Sequence, residues 1–287
     1  MKEKIKIITD TTTSLSPEEC KKLDLDYVET TYVVDGEEHS AYDNESETLP
    51  MFYEKLDNIK SCSTGCVNVQ AFEDVFTKWI NQGYKVIYTG LSAALSSTYQ
   101  NAKIAADKIN NEQGKKLVVT IDSRSASYGT LCLIDEIKEL IEKETPIEEI
   151  EKLVDAMAHN MSVAFVCRDL SFLHKSGRIS LLSAGLGKLL HVVPIVYVSK
   201  EDAKLRVGDK CLGSKLAFKT LKNRFINFIK EKNHKRCYIT SCNLPNEVEE
   251  LKKAIIENTD IKEVKTGLID KTLACCCGPK TIAIFCG

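Results

Sequence analysis

The chain has 287 residues, 43% hydrophobic and 28% charged, the proportions of an ordinary soluble protein with enough chain for one large or two medium cores. A net charge of −2 gives no reason to expect nucleic acid or an anionic membrane surface as partner, and no apolar run approaches the ~20 residues of a membrane span. The opening MKEKIKIITD lacks the apolar core of a secretion signal, so the reading is cytoplasmic, with the 12 Cys expected as free thiols.

In chain order, IKIITD (5–10) reads as a strand, and SPEECKKL as a helix start with Ser at the cap, Pro in the first turn and acids behind it. DYVETTYVVDGEEH reads as an extended segment turning at Asp35-Gly36. Residues 68–81 place Phe72, Val75, Phe76 and Trp79 on one helical stripe, which predicts a core face. KVIYT (85–89), KLVVTID (116–122), VAFVC (163–167), VVPIVYV (192–198), RCYITSC (236–242) and TIAIFC (281–286) read as further strands, most of them separated by helical patterns. Such alternation predicts an α/β fold built on largely parallel sheets. The helical stretch 146–159 and the fresh strand at 163 put a boundary near residue 160, giving domains 1–160 and 161–287.

Four segments have the residues for chemistry. TGLSAALSSTYQNA (89–102) runs from a strand into a helix through small hydroxyl-bearing residues, where free amides and hydroxyls suit a carboxylate or phosphate. Ser92 and Ser96 are the candidate donors, and Ala93 and Ala94 allow close approach to the backbone. The plainer reading is helix capping. KSCSTGC (60–66) is a second small polar cluster, read as a loop facing the same cleft. Its Cys pair has no partner pair at zinc spacing, so no metal is expected. FLHKSGRISLLSAGLGKLLHVVPIV (172–196) has Arg178 inside a turn made by Gly177. The apolar run that follows, Leu181, Leu182, Leu186, Leu189 and Leu190 with Ala184, Gly185 and Gly187, walls a slot or forms a core helix. Periodicity does not separate the two. His174 and His191 are read as structural. The fourth segment, LACCCGPKTIAIFCG, has three consecutive Cys whose side chains diverge, so wall-lining ranks above metal binding and metal binding above redox catalysis.

These segments, in this order and over nearly the whole chain, resemble the DegV family of bacterial fatty-acid-binding proteins. IITDTTTSLSPE resembles the family's opening SDST.DLP, KSCSTG falls at its TSQPS, LSAALSSTYQNA at SSGLSGTYQSA, TIDSRSASYGT at DS..AS.G, FLHKSGRIS at L.KGGRIS, and CCCGPKTIAIF at HVGPGALGL.F. The resemblance implies a two-domain α/β protein that holds one long-chain fatty acid between its domains. The carboxylate would sit at the hydroxyl-rich corners of the first domain and the tail in an apolar tunnel of the second. It implies no catalysis, no metal and no cofactor besides the bound acid. It also implies an ATP-dependent fatty acid kinase subunit as partner, making an acyl phosphate for phospholipid synthesis.

Carried over by position, the fatty-acid-binding residues are Ser61, Cys62, Ser92, Ala93, Cys276 and Arg178. Ser61 and Cys62 stand for a Thr and a Ser, Ser92 and Ala93 for a Ser pair, and Cys276 for a His. Lys280 stands where the family has Gly. The family's basic RTRKKA appears as LGSKLA (212–217), with both Arg gone. Two alternatives stay open: a lipid carrier with no kinase partner, and a thiol-dependent enzyme using Cys62, Cys275 or Cys276. A nucleotide-binding protein is not expected, because no GxGxxG follows a strand and no GxxxxGK[ST] occurs.

Overall fold

A computed structural model describes residues 3–43, 47–180 and 192–287. In chain order its elements are β1 (Ile5–Asp10), a 3-10 turn (Thr11–Thr13), α1 (Pro17–Lys22), β2 (Leu25–Val28), β3 (Thr31–Val34), β4 (Glu37–Ser40), α2 (Leu49–Leu56), β5 (Cys62–Gly65), α3 (Val69–Ile80), β6 (Lys85–Thr89), α4 (Thr98–Gln113), β7 (Val118–Ile121), α5 (Tyr128–Glu142) and α6 (Ile147–Asn160). They continue with β8 (Ser162–Val166), α7 (Ser171–Lys175), β9 (Val192–Val198), β10 (Leu205–Leu212), α8 (Ser214–Lys232), β11 (Cys237–Ser241), α9 (Pro245–Asn258), β12 (Val264–Leu268), α10 (Lys271–Cys277) and β13 (Ile282–Cys286). The helix start at Ser16 is a full capping box, with Glu19 N–H donating to the Ser16 hydroxyl and Ser16 N–H to the Glu19 carboxylate. The Leu181, Leu182, Leu186, Leu189, Leu190, Ala184, Gly185, Gly187 and His191 readings lie outside the described residues.

The strands form three sheets among the described residues. One is β2-β1-β6-β7, every pair parallel, as the alternation of strands and helices predicts. The six-stranded sheet, β10-β9-β8-β13-β11-β12, departs from that expectation: β11–β12 is its one parallel pair. The reason is topological. The last strand, β13, inserts between β8 and β11 and runs against both, while β9 and β10 pair as a hairpin. Neither reversal alters the apolar pattern of a strand buried on both faces, so periodicity is blind to it. The third sheet, β4-β3-β5, is antiparallel and includes the turn at Asp35-Gly36.

The layers follow from which faces are greasy. Phe72 and Phe76 of the predicted stripe are fully buried, with Val75 and Trp79 beside them, against α4 and the outer face of the parallel sheet. On the other face, Ile7, Ile87 and Ile121 share one core with Leu133, Ile134, Ile150 and Val154 of α5 and α6, and with Val163, Ala283 and Phe285 of the six-stranded sheet. Helices α8 and α9 cover the far side of that sheet. The order is helices, parallel sheet, α5 and α6, mixed sheet, helices. The parallel sheet's strands end at Ile121 and the mixed sheet's begin at Ser162. No helix among the described residues is long and apolar enough to cross a membrane.

Candidate functional site

In the parallel sheet, β1 connects to β2 on one side while β6 lies on the other, so the strand order reverses between β1 and β6. Ligands of open parallel sheets lie beyond the strands' carboxyl ends at such a point. Asp10 ends β1 there, buried to 1% exposure. Its carboxylate accepts from Thr12 N–H (2.9 Å), the Thr12 hydroxyl, Tyr88 hydroxyl (2.8 Å) and Leu91 N–H (2.9 Å), locking the two strand ends together. Gly90 is required in this lock, since a Cβ would fall 2.0 Å from the Asp10 Oδ2.

Ser127, just before α5, sits at φ 52°, a conformation rare for a residue with a side chain. Its N–H donates to Thr12 carbonyl (2.8 Å), and its hydroxyl bonds Ser14 (2.9 Å) and Thr240 (3.1 Å). Ser14 in turn donates to the Asp270 carboxylate (2.8 Å), which caps α10 by accepting from Leu273 N–H (3.0 Å). Thr30 bonds Thr11 (2.7 Å) and Thr272 (2.9 Å). A chain of hydroxyls thus stitches the first strand's turn to α5, β11 and α10.

Burial pushes the Asp270 carboxyl up from 3.8 to about 7, with Asp10 adding to the rise and the bonds from Leu273 N–H and Ser14 opposing it. An unfolded Asp titrates near ~4. The folded chain therefore holds an extra proton between the two values, and this stability is full below pH ~4 and lost as pH rises through about 7. The melting temperature of the wild type relative to Asp270→Asn is expected to fall across that window. A constant difference would contradict the assignment.

Inside this ring lies a cavity, with about 120 Å³ open to the centre of a water molecule. Leu91, Leu95, Val163, Phe165, Leu173, Leu273, Ala283 and Phe285 give it carbon walls. Its hydroxyl-bearing residues include Thr12, Thr30, Ser127, Thr240, Thr272 and Thr281, and the bonds above show that these hydroxyls are spent on one another or on Asp10. Thr281 likewise donates to Cys277 carbonyl (3.0 Å). At one place the lining brings together an arginine and hydroxyls less fully engaged by the protein. Among the described residues the Thr64 hydroxyl has the Cys276 sulfur as partner, at a long 3.8 Å, while Ser96 bonds the Thr98 hydroxyl (3.0 Å) and accepts from Thr98 N–H (3.2 Å). The Arg178 guanidinium donates to Leu95 carbonyl (3.2 Å) and Ser176 carbonyl and pairs with no carboxylate among the described residues. Arg178 and Leu95 also line an open polar cleft next to the cavity.

The expected site residues divide. Cys276 and Arg178 line the cavity. Ser61 does not: it is exposed at the foot of β5, where its N–H donates to Asp35 (2.9 Å), and the strand's cavity-facing hydroxyl is Thr64, three residues on. Cys62 points to α10 instead and is disulfide-bonded to Cys275, Cα to Cα 5.7 Å, within disulfide reach, so the expectation of free thiols fails at this pair. Ser92 is fully buried away from the cavity; its hydroxyl accepts from Ala94 N–H (3.2 Å) in the loop before α4, so it does not cap that helix either, whose cap residue is Ser97 with no side-chain cap bond. Ala93 is exposed and its N–H is taken by Asp122 (3.1 Å). The cavity hydroxyls on Thr12, Thr30, Ser127, Thr240 and Thr272 were not singled out. Two of them lie in the hydroxyl clusters that directly follow strands, DTTTS and DSRSAS, and that position is the available signal.

The thiols are poorly set for catalysis. Burial pushes Cys276 up, against the pull of Arg178 and the Thr64 bond, and contact with the Cys242 thiol together with burial pushes Cys277 up. No group of three His, Cys, Asp or Glu among the described residues is arranged to hold a metal ion. Lys280 takes φ 63°, a left-handed conformation that explains why a Gly is the better-suited residue there.

Comparison with known proteins gives a consistent set. A DegV domain-containing protein of Clostridium perfringens is 28% identical over 285 residues, 99% of this chain and 97% of that one. Among solved structures, a fatty-acid-binding DegV family protein from Thermus thermophilus superposes with a TM-score of 0.87 at 21% identity, covering 99% of both chains. A DegV family protein from Ruminococcus gnavus, refined with vaccenic acid, has a TM-score of 0.87 at 19% identity, covering 98% of this chain and 99% of that one. The model of the family described as uncharacterised protein, DegV family, matches residues 4–286, and with 283 of 287 positions inside that match the chain belongs to the DegV family.

Proposed function

We propose that this protein binds one long-chain fatty acid, with the carboxylate at Arg178, Thr64 and Ser96 beside Cys276, and the tail along Leu91, Leu95, Phe165 and Phe285. The observation that carries the reading is the division of the cavity: paired hydroxyls and carbon walls throughout, and an arginine with less fully engaged hydroxyls at one pole. An ionised carboxylate is costly to bury unless charge-assisted bonds meet it, and that pole supplies them. Each methylene moved out of water contributes ~0.8 kcal/mol, so the tail dominates affinity. The fatty acids of the Thermus and Ruminococcus proteins support the same ligand class.

The role is that of a non-catalytic cytoplasmic carrier, organised as domains 1–160 and 161–287, which presents the acid to a client. The client implied by the resemblance is an ATP-dependent acyl kinase subunit. A carrier without that client is the second reading, favoured by one observation: Leu212 occupies a lost Arg position and is 75% exposed, with Leu216 exposed beside it. Thiol catalysis is disfavoured by the Cys62–Cys275 bond and the raised Cys276 thiol.

Mass spectrometry of lipid extracted from the denatured protein tests the reading. One long-chain fatty acid per chain is expected, and no acyl species even after incubation with fatty acids would end it. Thr64→Val and Ser96→Ala are each expected to weaken binding by about 1 kcal/mol, while Ser92→Ala leaves affinity unchanged and lowers stability by about 1 kcal/mol. Fatty acid titration and thermal melts of the three variants separate these effects; the reverse pattern would return the carboxylate to Ser92.

A further inference from the structure

We propose that the Cys62–Cys275 bond is a redox clamp on the cavity wall, closing it when oxidised and letting it open when reduced. The inference rests on the fatty-acid reading for its ligand and on the geometry of β5 and α10 for its mechanism. Residues two apart on a strand share a face, so Cys62 and Thr64 look the same way. Across from them, consecutive residues of α10 receive them: Cys275 is bonded to Cys62, and Cys276 touches Thr64 at 3.8 Å. β5 thereby brings Thr64 and Gly65 to the cavity, and α10 brings Thr272, Leu273, Cys276 and Cys277.

The joined pieces lie 213 residues apart in the chain. Among the described residues β5 is an edge strand of the small antiparallel sheet, paired to β3 alone. Beyond the bond, Tyr32, Phe52, Tyr53 and Leu56 pack that sheet and α2 against Ala274 and Cys275, and Tyr53 hydroxyl donates to Ile269 carbonyl. Breaking the bond leaves this apolar contact, the Tyr53–Ile269 and Thr30–Thr272 bonds and the Lys271–Glu47 and Lys280–Asp57 ion pairs to hold the small sheet and α2, while at β5 itself the link to α10 is reduced to the weak Thr64–Cys276 contact.

The chemistry is thiol–disulfide exchange. A thiolate of a dithiol reductant attacks the half-buried Cys62 sulfur, forming a mixed disulfide and expelling Cys275 as thiolate, which takes up a proton. The reductant's second thiol then displaces Cys62, so two protein thiols form as one dithiol becomes a disulfide. Cys275, at 2% exposure, is shielded from direct attack.

The test uses cis-parinaric acid, a fluorescent polyene fatty acid, bound to the full chain. Its dissociation rate is measured after oxidation with a small-molecule disulfide and after reduction with dithiothreitol, with peptide mapping to verify the bond in each sample. Release is expected to be about tenfold faster from the reduced protein. Cys62→Ser is expected to release at the reduced rate in both conditions, and Cys66→Ser, at an exposed thiol, to keep the full response. Equal rates in verified oxidised and reduced wild type would overturn the clamp, as would failure of the bond to form under oxidant. If the probe binds in neither state, the fatty-acid reading fails. The clamp is then judged by hydrogen exchange of the β5 and α10 amides, faster on reduction if it holds and unchanged if it does not.

Discussion

Replacing Arg178 by Gln is expected to weaken long-chain fatty acid binding by about 2–3 kcal/mol, roughly 30–150-fold. Arg178 lines the cavity with no carboxylate partner among the described residues, so its charge is available to a ligand. Its influence already reaches the head-group pole, where it favours the Cys276 thiolate against the larger effect of burial. Gln keeps a polar end of similar reach, so the turn after α7 should persist and the loss should reflect charge. A fatty acid methyl ester separates the two. It should bind the wild type as weakly as the variant binds the free acid, and the variant should bind acid and ester alike. Calorimetric titration of both ligands against both proteins checks this. Equal affinity of wild type and variant for the free acid would remove Arg178 from the site.

Asp10→Ala is expected to destabilise the fold by about 3–5 kcal/mol. Asp10 is 1% exposed, and its carboxylate satisfies Thr12, Tyr88 and Leu91 at once. Truncation strands buried donors on the 3-10 turn, on β6 and in the loop after β6, and opens space where Gly90 approaches within contact. Denaturant unfolding measures the change. Asp10→Asn keeps the shape and part of the accepting capacity, and is expected to lose less. A loss below about 1 kcal/mol for Asp10→Ala would mean that the strand ends are held by something other than this carboxylate.

The pattern of residues made much of this legible, with limits that have physical causes. Strands rich in Ile and Val, such as 5–10 and 85–89, and the Phe72–Phe76 stripe follow directly from burial. β5, with sequence CSTG, has no residue of strong strand preference apart from Thr64, and forms because β3 pairs with it. The reversal of β13 depends on contacts between β8 and β11, which local periodicity does not encode. At the site, the hydroxyl-rich corner was visible, but which hydroxyl it offers was not. Ser92 and Ser96 each accept from the N–H two residues on, from Ala94 and Thr98, yet Ser96 lines the cavity and Ser92 does not. The same holds for β5, where the strand's alternation brings Thr64 to the cavity and leaves Ser61 on the surface. Arg178 was read from its place in the turn made by Gly177, and Cys276 only from its position in the family resemblance; both line the cavity.

The central claim is that a fatty acid lies in this cavity with its acidic end toward Arg178. A crystal structure of the protein soaked with a long-chain fatty acid tests it most directly. The expected result is a carboxylate within hydrogen-bonding distance of Arg178 and of Thr64 or Ser96, with the chain running among Phe165, Leu273 and Phe285. Density on the outer surface alone, or a carboxylate lodged among the paired hydroxyls of Thr30 and Thr272 with the tail at Arg178, would contradict it.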